Sequence, residues 1–182
     1  MTPPALAQLG TVLPLLDLLG IALFAATGAL AAARHGQTLV TAAFFALVTG
    51  VGGGTIRDLL IGAPVWWVHH PFVPALCLGV ALLIWITPQK WWHGAALDWL
   101  DALGLAAYAV FGAAKSLSFG IPPVPAALMG VPTACCGGIS RDVLAGEPSI
   151  LMRPELYVTA AALSSGLYVL LMLMGLALLV AA

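Results

Sequence analysis

Two Arg-Asp pairs, Arg57-Asp58 and Arg141-Asp142, each stand a few residues after a glycine run, Gly52-Gly53-Gly54 and Gly137-Gly138. A glycine costs about 1 kcal/mol against alanine inside a helix, so such runs invite a break. A break in lipid frees backbone N–H and C=O groups that only protein or a water-filled cavity can satisfy. Carbonyls freed in that way can replace part of a cation's hydration shell. Gly52, Gly53, Gly54, Gly137 and Gly138, with the hydroxyls of Thr49, Thr133 and Ser140, are therefore the candidate lining of an ion pathway. Close helix packing is the competing use of the same residues, since Gly50 and Gly54 form a small-xxx-small pair.

The charges around these glycines are costly in lipid, about 2.5–3.5 kcal/mol each at a helix centre on insertion scales. Neighbouring residues of a helix point apart, which leaves two readings for Arg57, Asp58, Arg141 and Asp142. Either they pair crosswise, Arg57 with Asp142 and Arg141 with Asp58, or they lie near helix ends and snorkel to water or hydrogen-bond the freed carbonyls. Asp17 and Asp101 are expected in the opening turns of their helices. There a carboxylate caps open donors or forms a cation-attracting ring at a pore mouth. Lys115 either snorkels to the interface or tunes an ion path. His35, His69, His70 and His93 have no metal-ligand spacing, and Cys77, Cys135 and Cys136 read as small apolar side chains.

The elements that must position these groups are spanning helices. Of 182 residues, 62% are hydrophobic and only 7% charged, with a mean hydropathy of +1.09. Soluble domains carry about one quarter charged residues, so a water-facing surface cannot be built from this composition. The expected partner is the lipid bilayer. A net charge of −1 argues against nucleic acid. The start of the chain has no cation ahead of its apolar run, so the first hydrophobic segment reads as a retained helix. Apolar runs of spanning length and punctuation at the connectors place helices at Pro14–Ala33, Thr38–Ile61, Pro74–Thr87, Leu97–Leu117, Val124–Leu144 and Pro154–Met174. Trp66, Trp67, Trp91, Trp92 and Trp99 sit beside connectors, as interfacial belts do. Arg34, Lys90 and Arg153 fall on one side and Lys115 on the other, which puts the N-terminus outside by the positive-inside rule.

The chain also repeats itself. The Arg-Asp pairs recur at 141 less 57, an offset of 84 residues, and the same offset maps Asp17 to Asp101, Gly28 to Gly112, Gly36 to Gly120, Thr49 to Thr133, Gly62 to Gly146 and Pro64 to Pro148. By this offset Lys115 corresponds to Ala31. Three spans in each copy force the second to enter the membrane from the opposite side. The fold expected is an all-α integral membrane protein of two inverted three-helix repeats, 13–90 and 97–174, with helices 2 and 5 broken at their glycines. No phosphate-cradling loop, zinc-protease motif or nucleophile elbow is present. The remaining classes are passive conduction, secondary transport of a small solute, or a bundle in which the glycines only pack.

The doubled motif, Gly-Gly-Gly-Thr-Ile-Arg-Asp at Gly52 to Asp58 and Gly-Gly-Ile-Ser-Arg-Asp at Gly137 to Asp142, resembles the prokaryotic trimeric intracellular cation (TRIC) channel family. That family also carries a glycine-transporter label. The resemblance covers roughly Leu13 to Met174. It implies a homotrimer in the prokaryotic inner membrane, with a pore for monovalent cations, chiefly K+, in each subunit. It further implies that helices 2 and 5 line that pore and that Lys115 is the nearest counterpart of a gating lysine on helix 4. Secondary transport of a small solute such as glycine is the alternative, and no enzymatic activity or cofactor is expected. Relatives have a seventh helix, of which Gly175 to Ala182 would be a remnant too short to span.

Overall fold

A computed structural model describes residues 4–92, 96–149 and 157–175. Its elements are α1 (Pro4–Arg34), α2 (Leu39–Leu60), α3 (Phe72–Ile86), α4 (Ala96–Ser118), α5 (Pro123–Ala145) and α6 (Tyr157–Leu173), with short 3-10 turns at Trp66–His69 and Gln89–Trp92. Five of the six helices begin within three residues of their expected starts. Helix α1 is the exception, because it begins at Pro4 and carries Pro14 in its interior. An internal proline removes one ladder hydrogen bond, a loss that spanning helices make good locally. Expected residues 154–156 of the sixth helix, residues 176–182 of the remnant, Arg153, His93 and the Lys90 side chain lie outside the described residues.

The helix ends follow from sequence chemistry. Thr38 caps α2, its hydroxyl accepting from the Thr41 N–H at 3.3 Å. The repeated glycines Gly36 and Gly120, and Gly62 and Gly146, all have positive φ, between 65° and 78°, just past the ends of α1, α4, α2 and α5. Only glycine adopts that conformation freely, and it closes a helix by returning N–H groups to the last carbonyls.

The packing repeats with the same offset. Helix α1 packs on α2 as α4 does on α5, α3 lies against α1 and α2, and α6 lies against α4 and α5. The halves meet through α1 on α4 and α2 on α5. Contacts across that seam are reciprocal. A Cβ added at Gly53 would collide with the carbonyl oxygen of Thr133, and one at Gly137 would lie 2.5 Å from the carbonyl oxygen of Thr49. Phe24 and Tyr108, equivalent by the offset, stack with centroids 5.3 Å apart. Small residues at the seam thus let two backbones touch, as membrane helices do.

The expected breaks in helices 2 and 5 are corrected by the structure. Helix α2 is one α-helix through Gly52, Gly53 and Gly54, and α5 is one α-helix through Gly137 and Gly138. The cost of glycine in a helix is offset here by the backbone contact that only glycine permits, so the ladder holds.

The exterior is apolar. Val40, Val124 and Leu163 are more than 70% exposed, whereas Asp17, Arg57, Asp58, Asp101, Arg141 and Asp142 are all 5% exposed or less. Soluble proteins distribute these residues the other way. Three helical stretches, Pro14–Arg34, Leu39–Leu60 and Leu97–Ser118, are long and apolar enough to cross a membrane.

Candidate functional site

Two buried charge clusters flank the α2–α5 crossing. In the first half, Asp58 Oδ1 accepts from Arg57 Nε and Nη2, each at 2.8 Å, and from Lys115 Nζ on α4 at 2.8 Å. The Trp66 backbone N–H also points to Asp58 Oδ2 at 3.5 Å, and the Trp67 indole donates to Thr55 Oγ1 at 2.9 Å. The 3-10 turn after α2 therefore folds two tryptophans over the cluster. The Arg57 guanidinium also lies over the Phe111 ring, 4.6 Å from its centroid, a cation–π contact strengthened by burial. Beside the tryptophans is a small cavity of about 10 Å³, room for about one water, partly open to the outside and lined by Asp17, Val51, Gly54, Arg57, Asp58 and Tyr108 among others.

In the second half, Asp142 Oδ1 accepts from Arg141 Nε at 2.9 Å and Nη2 at 2.8 Å, and Arg141 Nη1 reaches Asp101 Oδ1 on α4 at 2.7 Å. The Tyr157 hydroxyl donates to Asp101 Oδ2, also at 2.7 Å. One guanidinium thereby joins two carboxylates from different helices, with a hydroxyl satisfying the second Asp101 oxygen. This is the satisfaction that a buried ion pair requires to be tolerated. Tyr157→Phe strands one Asp101 oxygen and is expected to cost about 1–3 kcal/mol, read as a lower melting temperature in detergent. An unchanged melting temperature would show that the bond contributes nothing.

These geometries correct four expectations. The crossed pairs Arg57–Asp142 and Arg141–Asp58 do not form, because each arginine folds back onto its own neighbour. The Cβ vectors of adjacent residues diverge, but the long arginine chain spans the difference. Arg57 and Arg141 do not snorkel, being 1% and 2% exposed. Lys115 does not snorkel either, since its ammonium is held inward by Asp58. Asp17 and Asp101 are not helix caps. Helix α1 begins thirteen residues before Asp17, and Asp101 lies one turn beyond the start of α4 and bonds across to α5.

The remaining candidates divide by packing. Gly53 and Gly137 press on the opposite helix backbone, and Thr133 Oγ1 donates to the Met129 carbonyl at 2.6 Å. Gly52 has Ser140 Oγ 3.8 Å from an added Cβ, while Gly54 and Gly138 face the Arg57 and Arg141 guanidiniums. Sequence reasoning missed Tyr157, Tyr108 and the Trp66–Trp67 turn. Tyr157 has no counterpart in the repeat, where the offset gives Val73, so symmetry could not point to it.

A family model described as glycine transporter matches residues 14–89 and again 98–173. Among solved structures, the TRIC trimeric intracellular cation channel orthologue from Rhodobacter sphaeroides is 44% identical, superposing with a TM-score of 0.85 over 94% of this chain and 91% of that one. The chain belongs to the TRIC family. A prokaryotic TRIC channel crystallised in 0.5 M KCl is 28% identical, with a TM-score of 0.84 over 94% of this chain and 90% of that one. Among curated relatives, the UPF0126 membrane protein of Vibrio cholerae is 38% identical over 156 residues, 82% of this chain. The UPF0126 inner membrane protein YadS of Escherichia coli strain K12 is 37% identical over 148 residues, 80% of this chain. The chain spans 64% of the length of the first and 72% of the second. As a TRIC-family member it is a helical membrane protein, which accounts for its apolar exterior and buried charges.

Proposed function

We propose that this chain is a passive channel for monovalent cations, K+ foremost, with a conduction path inside each subunit of a homotrimer. The observation that carries the reading is the pair of buried charge clusters beside the α2–α5 crossing, in a chain 44% identical to a protein described as a trimeric intracellular cation channel. Buried ionisable groups in a membrane protein mark ion pathways by default, because their insertion cost needs a use. The path is proposed to run along Gly52, Gly54, Gly138, Ser140, Thr49 and Thr133. Gly53 and Gly137 set the spacing of the helices, Asp17, Asp58, Asp101 and Asp142 supply the negative field, and Arg57, Arg141 and Lys115 balance it. The repeats 13–90 and 97–174 are proposed to enter the membrane from opposite sides, with the N-terminus outside the prokaryotic inner membrane.

The description of the family model, glycine transporter, names a second reading, secondary transport of glycine, which the channel relatives of solved structure do not favour. Purified protein in liposomes separates the two. K+ flux driven by a set potential, linear with K+ into the hundreds of millimolar and without labelled glycine uptake, is expected. Saturable glycine uptake without K+ current would overturn the channel reading.

A further inference from the structure

The two halves hold the same three residues in different states. By the 84-residue offset, Asp17, Arg57 and Asp58 correspond to Asp101, Arg141 and Asp142. In both halves the arginine Nε and Nη2 bind the neighbouring aspartate Oδ1 at 2.8–2.9 Å. The difference lies in one nitrogen. Arg141 Nη1 bonds Asp101 at 2.7 Å, whereas Arg57 Nη1, fully buried, has no hydrogen-bond partner among the described residues. No ion pair within 4.0 Å joins Arg57 to Asp17. Both residues nevertheless line one cavity, and Asp17 lies in the field of Arg57 first and Lys115 second.

A difference in charge count accompanies this difference in geometry. Lys115 bonds Asp58 where the repeat places only Ala31 near the second cluster. The first cluster thus holds two acids, two bases and, beside Asp17, the Tyr108 hydroxyl. The second holds two acids, one base and the Tyr157 hydroxyl. In a low-dielectric interior a lone guanidinium facing two carboxylates must bridge them, as Arg141 does. With an ammonium already on Asp58, the first cluster is neutral without that bridge.

We propose that Arg57 and Asp17 form a second latch between α1 and α2, built like Arg141–Asp101 and held open by Lys115. When Lys115 leaves Asp58, Arg57 Nη1 closes on Asp17 and draws together the walls of the cavity beside Trp66 and Trp67. The latch is a two-state element that Lys115 biases through a shared carboxylate. Arg57 and Asp17 are positioning residues here, and the inference is independent of what crosses the membrane.

A double-mutant cycle reads the latch directly. Asp17→Asn, Arg57→Gln and the pair are made in the natural chain and in a Lys115→Met chain, and melting temperatures are measured in detergent. The Asp101→Asn and Arg141→Gln cycle supplies the size of a closed latch. Near-additive shifts with Lys115 present, and non-additivity of about 2–4 °C or more in Lys115→Met, are expected. Equal coupling in both backgrounds, or none in Lys115→Met, overturns the proposal. If the Arg57→Gln chains fail to fold, a structure of Lys115→Met alone decides. Arg57 Nη1 at about 3 Å from an Asp17 oxygen supports the latch, and the two remaining apart overturns it.

Discussion

Gly53→Ala is expected to eliminate most correctly folded protein, while Gly52→Ala and Gly54→Ala fold normally. A methyl group at Gly53 would meet the Thr133 carbonyl oxygen inside any permitted contact distance, and the obstacle is backbone in the middle of α5. Overpacking a well-filled core costs about 1–3 kcal/mol when side chains can shift. Here α2 and α5 must separate instead, so the loss exceeds that range and consumes much of a total stability of about 5–15 kcal/mol. Gly137→Ala meets the Thr49 carbonyl in the same way. At Gly52 and Gly54 the nearest atoms, side-chain Ser140 Oγ and Arg57 Nη2, lie 3.8 and 3.6 Å from an added Cβ. Alanine there gains about 1 kcal/mol of helix propensity. Size-exclusion profiles and melting curves of the four variants provide the check. A Gly53→Ala chain that eluted and melted like the natural one would mean that the helices do not touch at this point.

Arg141→Met carries the second large effect, about 3–5 kcal/mol of destabilisation. The substitution leaves Asp101 and Asp142, 1% and 3% exposed, without the cation that joins them, and an uncompensated buried charge costs about that much. Lysine is not expected to replace it, because a single ammonium cannot present three nitrogens to two carboxylates. Arg57→Met should cost less, since Asp58 keeps the Lys115 ammonium at 2.8 Å. Unfolding in increasing denaturant ranks the two variants. Adding Asp142→Asn to Arg141→Met should restore part of the loss by removing one stranded charge, whereas adding Asp58→Asn should not. Equal rescue by Asp58→Asn would revive crossed pairing between the halves. An Arg57→Met loss equal to that of Arg141→Met would remove Lys115 from the first cluster.

The local features of this protein were legible in its residues. Apolar runs of spanning length gave α2 to α6 to within three residues at each described boundary, since hydropathy and capping are properties of neighbours in the chain. The helix-ending glycines, Gly36, Gly62, Gly120 and Gly146, show at the sequence level because positive φ admits little else. The offset of 84 residues identified Asp17, Arg57, Asp58 and their counterparts as a set before any contact was known. The lipid-facing exterior followed from composition, which left too few charges to cover a surface.

What only the tertiary structure decided is who touches whom. A glycine run is compatible with a broken helix and with a tight crossing, and the choice depends on whether another backbone lies within reach. At Gly53 and Gly137 one does. Arg57 has Asp17, Asp58 and Asp142 as conceivable partners, and spacing along the helix discounted the neighbour that it in fact binds. A flexible side chain several ångströms long is positioned by the helices packed around it, not by the direction of its own Cβ. Equivalence in sequence also concealed the inequality of the halves. Asp17 and Asp101 match residue for residue, yet Lys115, which the offset pairs only with Ala31, accompanies an open cavity at one and a closed ion pair at the other. Chain spacing determines which groups belong together, and three-dimensional distance in a low-dielectric interior determines which of them pair.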